Sequence, residues 1–369
     1  MTAPASRVET LRAYQRAPLP ASVTLRLDAN EGQPAAAELI LAAIQEGGTE
    51  LFRRYPDARP LETRLAARFD VEPEQVFVSA GADDVIDRCC RAYLAPGSSL
   101  LIAEPGFEMF DHYAALCGAR VMKVTWPPGA YPIDAMLSRI DQDSDSRFPI
   151  PDSRPAIPQT RVIALVTPNN PTGEVATGDD LRRLAQAAPD ALVILDHAYA
   201  DFADTDLTAT ALAMPNVVVV RTFSKAWGLA GCRVGYALGP APVIRSLRAA
   251  GGPFPVSAPS LAVAAALLER GQPVRDAFVR RVREERMVLH ELLATLGGQP
   301  RQSQGNFVFA EAGHRSAQVH ARLVEQGVLV RTITSGGVPL GLRIALPGDP
   351  REFDQLKSTV ERAFRGNER

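Results

Sequence analysis

The sequence predicts an α/β protein in which a large domain with a mainly parallel central sheet is followed by a smaller α/β domain. Three observations carry this expectation. Short apolar segments alternate with helical stretches over residues 76–238, the order that parallel strands and right-handed crossovers produce. Two of the segments, residues 192–195 and 217–220, are apolar at every position, as strands covered on both faces are. Near residue 251 the pattern changes to a long helical stretch, 257–296, broken at Gly271-Gln272-Pro273, and then to short strands mixed with helices. The expected division is an arm over residues 1–25, a large domain over 26–250 and a small domain over 251–369, with the arm added to the small domain.

A chain of 369 residues suits about two domains and a sizeable core. Its 46% hydrophobic and 22% charged content is that of a globular enzyme. A net charge of −2 gives no case for nucleic acid or for an anionic membrane surface as partner. The four cysteines include an adjacent pair, Cys89-Cys90, and no C-x-x-C, which argues against a zinc site or a disulfide framework and fits a reducing compartment. No metal-ligand motif such as H-E-x-x-H occurs, so no metal is expected. The first residues lack an apolar signal core and the longest apolar runs are too short to span a bilayer, so a cytoplasmic, membrane-free protein is expected.

The elements follow in order. Residues 25–32, Leu-Arg-Leu-Asp-Ala-Asn-Glu-Gly, run from a short apolar segment into a polar loop. Helical spacing covers 34–46 and 61–69, and between them Arg53-Arg54-Tyr55-Pro56-Asp57 reads as a loop with an exposed aromatic. A strand at 76–78 meets a helix through Ser79-Ala80-Gly81-Ala82-Asp83-Asp84, either a phosphate-binding turn at a helix N-terminus or an ordinary βα turn with an aspartate cap. Strands at 100–103 and 120–124 flank a helix over 108–117. Residues 141–160 are rich in Asp, Ser and Pro and read as a loop insertion. The strand at 161–166 ends in Thr167-Pro168-Asn169-Asn170-Pro171-Thr172-Gly173, and the one at 192–195 ends at Asp196-His197-Ala198-Tyr199. In the last helix, 351–364, Asp349 suits the cap and Pro350 the first turn, while Phe353, Leu356, Val360 and Phe364 form one core-facing stripe.

The chemistry centres on residues 221–236. Lys225 follows the all-valine strand, at the sheet edge where Asn170 and Asp196 also fall. A lysine there is a solvated loop residue or, with its pKa lowered by burial or a cationic neighbour, a Schiff-base former. Thr222, Ser224 and Arg233 suit a phosphate. An aldehyde and a phosphate together point to pyridoxal 5'-phosphate (PLP). Its ring nitrogen needs an acid, for which Asp196 at a buried strand end is suited. Tyr199 and Asn170 can hydrogen-bond the ring hydroxyl, and Phe107 is placed to stack on the ring. The amides of Ala82 and Asp83 suit the phosphate, and Arg343 suits a substrate carboxylate.

These motifs together, Asn170-Pro171-Thr172-Gly173, Asp196-x-x-Tyr199, Ser224-Lys225 with Arg233, and the late Arg343, resemble the fold-type I PLP-dependent aminotransferases. Within them the nearest resemblance is to the histidinol-phosphate aminotransferases, carried by Leu27-Asp28-Ala29-Asn30-Glu31, Arg54-Tyr55-Pro56-Asp57, Gly81-Ala82-Asp83-Asp84 and Gly327-Val328-Leu329-Val330-Arg331. The resemblance implies the PLP-dependent transferase fold type I. It implies histidinol phosphate and 2-oxoglutarate as substrates, with imidazole acetol phosphate and glutamate as products, in histidine biosynthesis. It also implies a homodimer in which Tyr55 reaches the neighbouring subunit's cofactor phosphate. Arg331 and Arg343 are then expected to receive substrate anions, and Asn30 and Tyr14 to contact substrate. Lys225, Asp196 and Tyr199 form the catalytic set.

The sequence departs from the family pattern at Phe107, where a tyrosine is usual, at His197, where an acidic residue is usual, at Asp28, where an asparagine is usual, and in the length of 141–160. Three rivals stand beside this reading: a transaminase for another, aromatic amino acid; a PLP decarboxylase of a phosphorylated amino acid such as threonine phosphate; and a PLP-fold transcription regulator. The regulator needs a DNA-binding domain that the residues before Leu25 cannot hold.

Overall fold

The computed structural model describes residues 19–144, 147–148, 157–158, 160–335 and 338–366, with positions 2, 5–9, 11 and 13 before them. The strands are β1 (Leu25–Leu27), β2 (Val76–Ser79), β3 (Ser99–Glu104), β4 (Arg120–Thr125), β5 (Arg147–Phe148), β6 (Ile157–Pro158), β7 (Thr160–Val166), β8 (Leu192–Asp196), β9 (Val217–Thr222), β10 (Gly235–Leu238), β11 (Phe307–Ala310), β12 (Val328–Ser335) and β13 (Val338–Ala345).

Seven of them form one sheet in the order β2-β10-β9-β8-β7-β3-β4. All its pairings are parallel except those of β10, which is antiparallel to both β2 and β9. Every residue of β8 and β9 is buried, as the unbroken apolar runs require. One face is covered by a cluster that includes Phe77, Val85, Ile86, Phe110 and Ile244, and the other by Leu101, Leu165, Leu195, Val219 and Trp227. The parallel strands β7 and β8 end level at Val166 and Asp196, opposite Val220 of β9, which runs on to Thr222, so the loops that follow them share one edge.

The second sheet has the order β1-β12-β13-β11. Here β1 pairs parallel with β12, Leu25 opposite Val328 and Leu27 opposite Val330. The strand therefore straddles the boundary expected at residue 25 and carries the small sheet on to Leu27. Packing explains it: Leu25 and Leu27 are buried while Arg26 between them is exposed. The helix Pro350–Arg365 is capped as expected, Asp349 Oδ1 accepting from the amides of Arg351 and Glu352 at 2.9 and 3.0 Å. In the 141–160 stretch, Arg147 and Phe148 pair antiparallel with Pro158 and Ile157.

Candidate active site

The edge of the large sheet and the small-sheet hairpin β12–β13 border one cavity of about 1010 Å³. Asn170, Asp196, Tyr199 and Lys225 line it from the large sheet, Arg331 and Arg343 from the hairpin. Lys225 is half-buried in the loop after β9, and its Nζ donates to the carbonyl of Ala29 at 3.0 Å. Burial first, and the Arg343 guanidinium second, push its amine down to about 8. The ammonium also lies 5.8 Å from the centre of the Tyr199 ring.

Asp196 closes β8 and is buried. Burial pushes its carboxyl up to about 7, against the opposing pull of the Ala198 amide, which donates to Oδ1 at 3.2 Å. Tyr199 is buried edge-on to Phe307 with ring centres 5.1 Å apart, and its hydroxyl accepts from Asn30 Nδ2 at 3.0 Å. Asn30 itself sits at φ 52°, a left-handed position that asparagine tolerates.

Another wall gathers the phosphate-type groups. Gly81, at φ 88°, starts the helix Ala82–Tyr93, whose first amides have no carbonyl behind them in the helix. A Cβ on Gly235 would stand 2.4 Å from the Gly81 carbonyl carbon, so only glycine lets β10 approach this turn. Thr222 Oγ1 donates to Ser224 Oγ at 3.0 Å and accepts from the Ser224 amide at 3.0 Å. Arg233, at φ 52°, donates to Asp83 Oδ2 at 3.2 Å. Ala82, Asp83, Thr222, Ser224 and Arg233 all line the cavity, and so does Phe107.

Arg343 is buried, its Nη1 donating to Asn170 Oδ1 at 2.6 Å and its Nη2 to the Asp28 carbonyl at 2.7 Å. Asn170 thus accepts through Oδ1, and its Nδ2 is the atom that can donate to a ring oxygen. Arg331 is more exposed and pairs with Glu108 at 3.3 Å. Tyr55 does not line this cavity; the residue is 83% exposed, and its ring stacks on Phe254 with centres 5.0 Å apart. Tyr14 lies outside the described residues.

Other residues of the site were not expected from the sequence. Asn306 is fully buried before β11 and donates to the carbonyl of Asn30 at 3.2 Å. Phe307 lies under the Arg343 guanidinium at 5.7 Å. The signal in the sequence was a lone asparagine opening an apolar strand, Asn306-Phe307-Val308-Phe309, where a buried amide needs a partner. His197 turns away from the cavity: Nδ1 donates to the Thr167 carbonyl and Nε2 accepts from the Leu207 amide at 3.0 Å.

The donor set fits PLP. Lys225 would hold its aldehyde, Asp196 its ring nitrogen, Asn170 and Tyr199 its ring oxygen, Phe107 its ring face, and the Ala82–Asp83 amides with Ser224 and Arg233 its phosphate. One buried polar atom of the lining, Arg343 Nε, has no hydrogen-bond partner within the protein, as expected of a wall built for a polar ligand.

Fold and site together define a lysine-based PLP enzyme. Residues 24–359 match the family Aminotransferase class I and II, and the chain belongs to it. Histidinol-phosphate aminotransferase 2 of Pseudomonas aeruginosa is 35% identical over 345 residues, 91% of this chain and 88% of that protein. Histidinol-phosphate aminotransferase of Geobacillus thermodenitrificans is 31% identical over 353 residues, 93% of this chain and 91% of that protein. Among solved structures, histidinol-phosphate aminotransferase from Sinorhizobium meliloti in complex with pyridoxal-5'-phosphate superposes with a TM-score of 0.84 at 23% identity, covering 98% of this chain and 97% of that one. N-succinyldiaminopimelate aminotransferase from Mycobacterium tuberculosis shares the fold as well, with a TM-score of 0.75 at 23% identity over 91% and 92% of the two chains.

Proposed function

We propose that this aminotransferase moves the amino group of histidinol phosphate to 2-oxoglutarate, giving imidazole acetol phosphate and glutamate, in histidine biosynthesis. The observation that carries the substrate reading is the placement of Arg331 and Arg343 opposite each other on β12 and β13, in the same cavity as Lys225. Two guanidinium groups suit a doubly charged phosphate in one half-reaction and the two carboxylates of glutamate in the other. The names of the relatives support the same substrate.

PLP, when bound, supplies the aldehyde that takes up the amino group and the ring that withdraws electrons from the reacting carbon. Lys225, with its amine lowered to about 8, is able to hold and return a proton at that carbon near neutral pH. Asp196 would face the ring nitrogen and could give it the proton that burial keeps on the carboxyl, leaving a carboxylate paired with the ring N–H. Tyr199, held by Asn30, keeps its hydroxyl toward the cavity. Arg343 orients the substrate while fixing Asn170.

The working unit in this reading is a cytoplasmic homodimer in which Tyr55 reaches the partner's cofactor phosphate. The exposed Tyr55–Phe254 stack, outside its own chain's cavity, supports this, since aromatic patches left in solvent suit interfaces. The residues from the end of β1 to 250 act as the cofactor domain, and residues 251–369 with the arm and β1 act as the domain that brings the substrate-reading hairpin.

The test is a panel of amino donors with 2-oxoglutarate, following glutamate release. Histidinol phosphate is expected to exceed unphosphorylated histidinol by at least tenfold in kcat/KM, the worth of about one charge-assisted contact. Equal values overturn the substrate reading, and carbon dioxide release from threonine phosphate replaces it with a decarboxylase.

A further inference from the structure

Glu108 stands at the N-cap of the helix Met109–Leu116 but makes no capping hydrogen bond. Its carboxylate instead reaches Arg331 on β12, Oε1 to Nη2 at 3.3 Å. The contact joins the loop after β3 of the large sheet to the hairpin of the small sheet, and both residues line the same cavity. Nearby on the large-sheet side, Lys123 is taken up by two carboxylates, Glu104 at 3.1 Å and Asp111 at 3.0 Å. Arg331 is thus the cation on which Glu108 settles.

We propose that Glu108 is a displaceable counter-charge that occupies the anion seat of Arg331 until a substrate anion takes its place, making it a specificity-determining residue of this cavity. Three features support this. The side chains of Arg331 and Glu108 are 37% and 66% exposed, and ion pairs that exposed are worth at most about 1 kcal/mol. A phosphate dianion offers a guanidinium twice the charge of a carboxylate and three acceptor oxygens, against the one oxygen by which Glu108 holds Arg331. Arg343, opposite Arg331, is already bonded to Asn170 and the Asp28 carbonyl, so the exchange falls to Arg331. A neutral side group entering the cavity has nothing with which to displace Glu108, so the pair stays closed against it. The proposal rests on the reading that Arg331 receives a substrate phosphate.

The experiment titrates the PLP-loaded protein with inorganic phosphate by calorimetry at low ionic strength, in the unaltered protein, Glu108→Gln, Arg331→Ala and the double variant. Glu108→Gln is expected to tighten the Kd about fivefold, the equivalent of one exposed ion pair. Arg331→Ala is expected to weaken it at least tenfold, and in that background Glu108→Gln is expected to change it less than twofold. Equal affinities of the unaltered protein and Glu108→Gln, including no measurable binding by either, overturn the role of Glu108. Tightening that persists without Arg331 overturns the pairing. No loss in Arg331→Ala removes the anion-reading role of Arg331 itself, which separates that failure from the other two.

Discussion

Arg331 and Arg343 stand directly across from each other in the antiparallel pair β12–β13, yet their guanidinium groups part, one to Glu108 and the other to Asn170 and the Asp28 carbonyl. Like charges opposite each other in a ladder destabilise it unless each finds a partner. Each arginine is held by a group from a loop outside the hairpin, so these two side chains tie the hairpin across the cavity.

Arg331→Ala is therefore expected to lower kcat/KM for histidinol phosphate by one to two decades, since losing a charge-assisted contact costs about 1.5–3 kcal/mol. Borohydride should still fix the cofactor to Lys225 in this variant, read by the mass of the reduced protein. Loss of attachment together with turnover would mean that Arg331 supports the cofactor wall rather than the substrate.

The amine of Lys225 has an ordinary value of 10.5 and stands at about 8 here. At pH 8 about half of its copies are neutral, against about 0.3% for an unperturbed lysine. Attachment of PLP to the cofactor-free protein, trapped with borohydride, should rise through pH 8 and level off above about pH 9. Arg343→Leu removes a cation that disfavours the ammonium, so the inflection should move upward, though not as far as 10.5 because burial is the larger cause. An unmoved inflection would remove Arg343 as a cause of the lowered amine.

Mixing subunits tests the dimer. Tyr55→Phe and Lys225→Ala chains, refolded or exchanged together, should yield some sites in which both groups are intact, so the mixture should be more active than the two parents kept apart. Light scattering that finds a fully active monomer at working concentration would end the idea.

Glu285 offers a stability test away from the site. It is buried in the helix Gln272–Thr295, accepts from the Gly348 amide at 2.8 Å, and its Oε1 has no partner. Burial pushes its carboxyl from 4.5 up to about 7. Between those values the folded chain keeps a proton that the unfolded chain has released. The stability this gives is complete below about pH 4.5 and is lost as pH rises through 7. Glu285→Gln has no proton to release, so its urea-unfolding stability should fall less between pH 5 and pH 8, by up to about 2.5 kcal/mol. Parallel losses in the two proteins would refute this.

Much of the architecture was legible in local pattern. Unbroken apolar runs announced β8 and β9, helical spacing announced the helices between strands, and the Asp349-Pro350 cap stands as the rules of helix ends require. The groups after the parallel strands, Asn170, Asp196 and Lys225, were expected at one sheet edge and do share one cavity. Short-range order is written in residues a few positions apart, so a sequence shows it directly.

What the tertiary structure decided lies at long range. No local pattern indicates that Leu25–Leu27 pairs with β12, roughly three hundred residues away, and that pairing delivers the Ala29 carbonyl to Lys225 and Asn30 to Tyr199. The antiparallel insertion of β10 between β2 and β9 is equally silent in the sequence, because an apolar strand carries no sign of its direction. Nor does the sequence tell that His197, beside Asp196, turns its ring away to Thr167 and Leu207, or that Glu108 leaves its helix to meet Arg331. The type and spacing of residues determined which chemistry the chain can hold. Which groups meet was settled only when burial of two sheets fixed the register between distant strands, since a polar side chain takes whatever partner the packed backbone brings within reach.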